Sequence, residues 1–186
     1  MSDGGGWGRS GERGAIVEDR KAERGLDSSR TGRILAVSIS AGGVPKGRVG
    51  VAQVLRSGLV GDAQNDTKHH GGPDRAVCVY AVEVIRRLQQ EGHPIDIGTA
   101  GENITVEGID WEGITPGLRL QLGGDVLLEV ASYTNPCKTI KDSFIDGEFI
   151  RIAEKFHPGW SRVYARVISE GEVRPGDPVR LVSVPE

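Results

Sequence analysis

A mainly β fold, a small barrel or sandwich carrying a few short helices, follows from three observations. The 186-residue chain holds 28 glycines and 9 prolines, a composition of many turns and short elements. Its apolar residues fall in short β-branched runs separated by Gly, Pro and Asp. Only two stretches carry apolar residues at helical spacing. The length suits one domain with a sizeable core better than two.

Residues 1–32 are rich in Gly, Ser, Arg, Glu and Asp and hold little that is apolar beyond Trp7, Ile16, Val17 and Leu26. Such a segment cannot bury enough surface to offset its ordering entropy, so a disordered polar tail is expected before a domain spanning 33–186. The first strand is expected over the β-branched run 33–39, which ends in the turn-prone stretch 41–47. Further strands are expected at 49–54, 76–80, 103–106, 118–122, 126–132, 163–169 and 179–184. Between the second and third of these last strands the spacing predicts a helix over 81–90. It has Val82, Ile85 and Leu88 on one side, Glu83 and Arg87 paired at i,i+4, and Gly92 placed to end it. A second helix is expected over 147–156, with Phe149, Ile152, Ala153 and Phe156 spaced for a buried face before Pro158 and Gly159 break it.

Bulk charge narrows the function. A net charge of −3 and a pI near 5.9 supply no broad basic field, so no nucleic-acid partner is expected. No apolar run approaches the ~18 residues of a membrane helix, and the N-terminus lacks an apolar signal core. A cytoplasmic protein with no membrane partner is expected, its two cysteines, Cys78 and Cys137, kept reduced.

Cys78 lies inside an apolar strand and reads as a packed, unreactive thiol. Cys137 follows Pro136, precedes Lys138, and sits where a short helix over 139–144 can open. A thiol beside a lysine and a helix N-terminus is biased toward thiolate, the form that attacks electrophiles and binds soft metals; the alternative is a structural cysteine. The densest polar cluster, 61–75, leads directly into a strand. Gly71 and Gly72 allow backbone amides to approach an anion, and Lys68, His70 and Arg75 add positive charge there; equally, this is a solvated loop whose glycines only turn the chain. Asn103, after Glu102 at a strand start, either hydrogen-bonds a ligand or ties down its own turn. Adjacent His69 and His70 diverge from an extended backbone, and no zinc-type spacing of His and Cys occurs.

Taken in order, Gly61-Asp62, His70-Gly71-Gly72-Pro73-Asp74-Arg75-Ala76-Val77, Gly101-Glu102-Asn103, Pro136-Cys137, Arg162-Val163-Tyr164-Ala165-Arg166-Val167 and Gly176-Asp177-Pro178-Val179 resemble the MOSC domain, named from the C-terminal domain of molybdenum-cofactor sulfurases. The resemblance runs from about Ile34 to the C-terminus. It implies a MOSC-type β-barrel and a cysteine, by position Cys137, that either ligates molybdenum of a pyranopterin cofactor or carries sulfur as a persulfide. It also implies that His70, Asp74, Arg75 and Asn103 shape the site. Lys68, Arg75, Lys138 and Arg166 are candidate contacts to the cofactor's phosphate, on charge and location, and each equally reads as a solvated surface residue.

Three functions follow. The first is a molybdenum-cofactor oxidoreductase that reduces N-hydroxylated small molecules with electrons from a separate redox protein. The second is a sulfur carrier loaded by a cysteine desulfurase, and the third a non-catalytic barrel that binds a small ligand or partner. Pyridoxal phosphate belongs to fused relatives, and this chain is too short for their desulfurase domain. The longer amidoxime-type enzymes also enclose the cofactor with an N-terminal β region. Here those positions are the polar tail, so either the site is more open or a second copy in a homodimer closes it.

Overall fold

The computed structural model describes residues 31–63 and 72–182. Residues 1–30 of the tail expected over 1–32 lie outside the described residues, as do Lys68, His70 and Gly71. In chain order the elements are β1 (Thr31–Ile39), β2 (Gly47–Val49), β3 (Ala52–Leu55), β4 (Gly58–Leu59), β5 (Val77–Ala81), α1 (Val82–Gln90), β6 (Ile104–Glu107), β7 (Arg119–Leu122), β8 (Val126–Tyr133), β9 (Val163–Ser169), β10 (Gly171–Val173) and β11 (Pro178–Val182). Among the described residues no helix is long and apolar enough to cross a membrane.

Seven strands close a barrel in the order β1-β11-β7-β8-β9-β5-β6, with β6 returning to β1 and β2 extending the edge of β1. Closure rests on Thr31, Gly32 and Arg33 pairing with Arg180, Val179 and Pro178. Thr31 and Gly32, assigned to the tail by composition, therefore belong to β1. Their pairing is a backbone matter, which composition does not report. At Gly32 even a Cβ would come within 2.3 Å of the Glu107 carbonyl oxygen, so the closure needs glycine there.

Alternation fills the interior. Val126, Leu128 and Val130 of β8, Val163, Ala165 and Val167 of β9, and Val179 and Leu181 of β11 are buried, with partly or fully exposed residues between them. β5 and β6 form a parallel pair, and a parallel pair needs a crossover. That crossover is α1, which lays Val82, Val84, Ile85 and Leu88 against the core. Gly92, at φ 93°, then ends it while the Gly92 and His93 amides cap the last carbonyls.

Four expectations differ. Glu83 and Arg87 turn to tertiary partners: Glu83 accepts from the Gly108 amide at 2.8 Å, and Arg87 reaches Glu112 at 3.3 Å. The strand expected at 49–54 is two, β2 and β3, which serve different sheets with Gly50 and Val51 between them. The two short strands β4 and β10 flank β3 in a small second sheet, and runs of two or three residues carry no periodicity to read. The helix expected over 147–156 is a series of 3-10 turns at Ile145–Gly147 and Phe149–Ile152, with Phe156 60% exposed. Asp146 and Gly147 at positive φ interrupt the segment. Arg151 binds Glu91, and both carboxylate oxygens of Glu154 are held by the Gly159 amide. A ten-residue segment is marginal as a helix, so such contacts decide its form.

Candidate functional site

All five residues of β5 are buried, so the strand is covered on both faces. Val77 and Val79 look into the barrel opposite Ala165 and Val163, which leaves Cys78, Tyr80 and Tyr164 on the outer side. Trp160 and Trp111 roof part of that outer face: the Tyr80 hydroxyl donates to the Trp160 carbonyl at 2.9 Å, and the Trp111 ring meets Tyr80 edge-on. Beside this roof lies a cavity of about 220 Å³ whose wall includes Lys46, Cys78, Asn103, Cys137, Arg162 and Tyr164.

Cys137 caps a 3-10 helix, Lys138–Ser143, and its thiol donates to the Thr139 hydroxyl at 3.3 Å. The loop that delivers it is pinned next to Arg162. The Thr134 amide donates to the Arg162 carbonyl at 2.9 Å, and the Ser161 hydroxyl donates to the Thr134 carbonyl at 3.1 Å. Arg162 is 6% exposed; its Nη1 donates to the Ala100 carbonyl, and its buried Nε has no hydrogen-bond partner among the described residues. A buried guanidinium in the wall of a cavity favours an anionic ligand there.

Lys46 supplies a second cation. Its Nζ contacts both oxygens of Asp62 at 2.6 and 2.5 Å, with the two side chains only 9% and 5% exposed. Asp62 also accepts from the Ser40 amide at 2.8 Å and from Asn103 Nδ2 at 2.9 Å. Asn103 Oδ1 in turn accepts from the Cys78 amide at 3.1 Å, and Nδ2 also reaches the Ser38 carbonyl at 3.3 Å. Asn103 thus lines the cavity while both ends of its amide tie β5 to β1 and to Asp62, rather than to its own turn.

Burial sets the protonation of the neutral groups. It pushes the Cys78 thiol up to about 11 and the Tyr164 phenol up to about 12, so both keep their protons at neutral pH. Cys78 is packed, as its apolar strand implied, yet it also forms part of the cavity wall.

Of the residues singled out in the sequence, Cys137 and Asn103 meet at the cavity, and Arg75 stands behind it with its guanidinium 5.8 Å from the Tyr164 ring centre. Gly72, exposed at φ 91°, opens the 3-10 turn Pro73–Arg75. Asp74 and Arg166 pair with each other at 3.1 Å, and Arg166 also reaches Glu129 at 3.4 Å, outside the cavity lining. Lys138 is exposed and likewise outside it. Asp62, Arg162 and Tyr164 entered the sequence reading only as parts of motifs, with no role at the site, and Lys46 only as part of a turn-prone stretch. Strand alternation held the signal for two of them, since Arg162 and Tyr164 flank the inward Val163 and must share the outer face with Cys78.

The profile of the MOSC domain matches residues 66–180. The uncharacterized protein YflK of Bacillus subtilis is 32% identical over 131 residues, covering 70% of this chain and 58% of that protein. Protein YiiM of Escherichia coli is 29% identical over 139 residues, covering 72% and 60% respectively. The chain thus spans about three fifths of the length of these curated relatives. The crystal structure of YiiM from Geobacillus stearothermophilus superimposes with a TM-score of 0.62 at 23% identity, covering 82% of this chain and 75% of that one; it shares the fold.

Proposed function

This chain belongs to the MOSC domain family, and from that premise we propose that it binds a molybdenum pyranopterin cofactor through the Cys137 thiolate and reduces N-hydroxylated small molecules. The observation that carries the reading is the meeting of Cys137 and Arg162 at one cavity. A thiolate is a soft, strongly donating ligand that suits molybdenum, and a guanidinium lining the same cavity suits anionic oxygen, so the residues present fit the group.

When bound, the cofactor supplies the two-electron chemistry that takes the oxygen from nitrogen. The overall change, R–NHOH plus two electrons and two protons giving R–NH2 and water, draws its electrons from a separate redox protein. The chain's own part is positional. Arg162 sets a positive field at the cavity wall, where Asp62, held by Asn103, balances the Lys46 charge, and Tyr164, its phenol still protonated, lines the same space. Near 220 Å³, the cavity lies below the roughly 300–1,000 Å³ of drug-sized ligand sites, so it encloses the reacting end of a ligand whose remainder lies over the rim.

Protein produced in cofactor-replete cells is expected to carry about one molybdenum per chain and to reduce a model amidoxime, with both properties lost in Cys137→Ala. Metal retained at the wild-type level in that variant removes Cys137 as ligand. The small cavity also favours a second reading, a Cys137 persulfide received from a cysteine desulfurase. Mass spectrometry of the native protein after incubation with a desulfurase and cysteine then shows one added sulfur on Cys137, and an unmodified thiol rules this reading out.

A further inference from the structure

One turn, 98–101, holds three separate walls of the cavity by three successive carbonyls. The Gly98 carbonyl accepts from the Lys46 amide at 2.9 Å, the Thr99 carbonyl from the Ser143 hydroxyl at 3.1 Å, and the Ala100 carbonyl from Arg162 Nη1. Ser143 closes the 3-10 helix that Cys137 opens, so the lysine, the thiol and the guanidinium are all positioned against this turn. The turn is itself held from behind by Glu102. That carboxyl is 0% exposed, accepts from the Gly98 amide at 2.7 Å and from the Thr105 hydroxyl at 3.2 Å through Oε1, and has no hydrogen-bond partner for Oε2 among the described residues.

Two buried polar atoms are therefore left over on either side of one turn: Glu102 Oε2 and Arg162 Nε. Among the described residues, titratable groups that act on Glu102 include Arg162, from the stretch before β9, and Cys78 and Tyr80 from β5. Burial raises all three acids, so at neutral pH the thiol and the phenol contribute no charge, and Arg162 is the one of these groups that answers to an ionised Glu102. A neutral Glu102 leaves Arg162 on the Ala100 carbonyl, facing the cavity. An ionised Glu102, fully buried, draws the Arg162 guanidinium toward itself.

We propose that Glu102 is a positioning residue that switches the cavity's affinity for anions: protonated, it holds the 98–101 turn so that Arg162 serves the cavity, and ionised, it takes Arg162 out of service. The device is a property of the empty protein chain. It holds whether the cavity takes a cofactor or a persulfide, and its test does not pass through either.

Cys137 reports the field. Iodoacetate and iodoacetamide both alkylate a thiolate, so the ratio of their rate constants at Cys137 cancels the thiol's own ionisation and reads the preference of the cavity for the anionic reagent. Rates are followed by mass spectrometry of the Cys137 peptide in the full chain, between pH 6 and 9.5. The wild-type ratio is expected to fall roughly fivefold as pH rises through the raised Glu102 range, where an ionised carboxylate answers the guanidinium. Glu102→Gln, which keeps the acceptor for Gly98 and cannot ionise, is expected to hold the high ratio throughout. Arg162→Gln is expected to show the low ratio throughout. A wild-type ratio that stays flat overturns the proposal, and so does a fall that is equal in Glu102→Gln. Should the Glu102 variant not fold, the comparison of wild type with Arg162→Gln decides alone, because an equal fall in both shows that Arg162 does not carry the change.

Discussion

Asn103 Nδ2 donates to Asp62 Oδ2 at 2.9 Å, and this one bond joins the strand wall around Cys78 to the loop that anchors Lys46. The asparagine side chain stands between two buried groups. Asn103→Ala leaves the Cys78 amide without its partner, at about 1–3 kcal/mol, and takes from Asp62 Oδ2 one of its two bonds, the other being to Lys46. A loss of roughly 2–4 kcal/mol in urea unfolding, with an unchanged m-value, is the expected result.

The ion pair of Lys46 and Asp62 gives an ordered series. Removing only the cation, as in Lys46→Met, strands a mostly buried carboxylate and should cost about 3–5 kcal/mol. In the double variant Lys46→Met with Asp62→Asn, the neutral amide no longer needs the ammonium, and the loss should be smaller than for Lys46→Met alone. A double variant less stable than Lys46→Met would show that Asp62 matters through its other bonds, to Ser40 and Asn103, more than through the lysine.

Glu102 makes stability depend on pH in a stated direction. Burial raises its folded value above the ordinary glutamate range, so the folded state holds a proton that the unfolded chain has already released. The stability this gives is complete below the unfolded value and is lost as pH rises through the folded one, with a slope of about 1.4 kcal/mol per pH unit for one proton. Glu102→Gln removes that slope. Chemical denaturation at several pH values should show the two proteins diverging toward alkaline pH, the variant becoming the more stable.

Thiol counting separates the two cysteines. With Cys78 pushed up to about 11 and 4% exposed, brief alkylation of the folded protein at neutral pH should modify Cys137 alone, and denatured protein should take two labels. Rapid labelling of Cys78 in the folded state would mean that β5 opens locally.

Gly98→Ala should damage the site more than its size suggests. The residue has φ 84°, and a Cβ would lie 2.3 Å from the Lys46 carbonyl oxygen, so the turn must move away from the very loop it holds. A destabilisation of at least about 2 kcal/mol is expected, together with a lowered iodoacetate preference at Cys137.

The barrel strands were legible because 33–39, 126–132 and 163–169 alternate or run apolar over enough residues to declare a face. Cys137 and Asn103 stood out for local reasons, a proline and lysine on one side, an acid and a turn on the other. Arg162 and Lys46 did not, since a basic residue in a turn looks the same whether its charge meets water or a buried carbonyl 62 positions away. The series of 3-10 turns after Cys137 was misread for a related reason: the apolar spacing of Phe149 and Ile152 fits a helix, while the contacts that break it come from Glu91 and Gly159.

Barrel closure couples the earliest and latest described strands, β1 through Thr31 and β11 through Arg180. On the ribosome, β1 must wait with one edge open until β11 has emerged, because no nearer segment supplies that pairing. The turn, the guanidinium and the thiol all sit on this barrel, so the cavity they line is complete only once β11 has paired with β1. Truncations that stop before β11 should yield chains with every site residue present and no site.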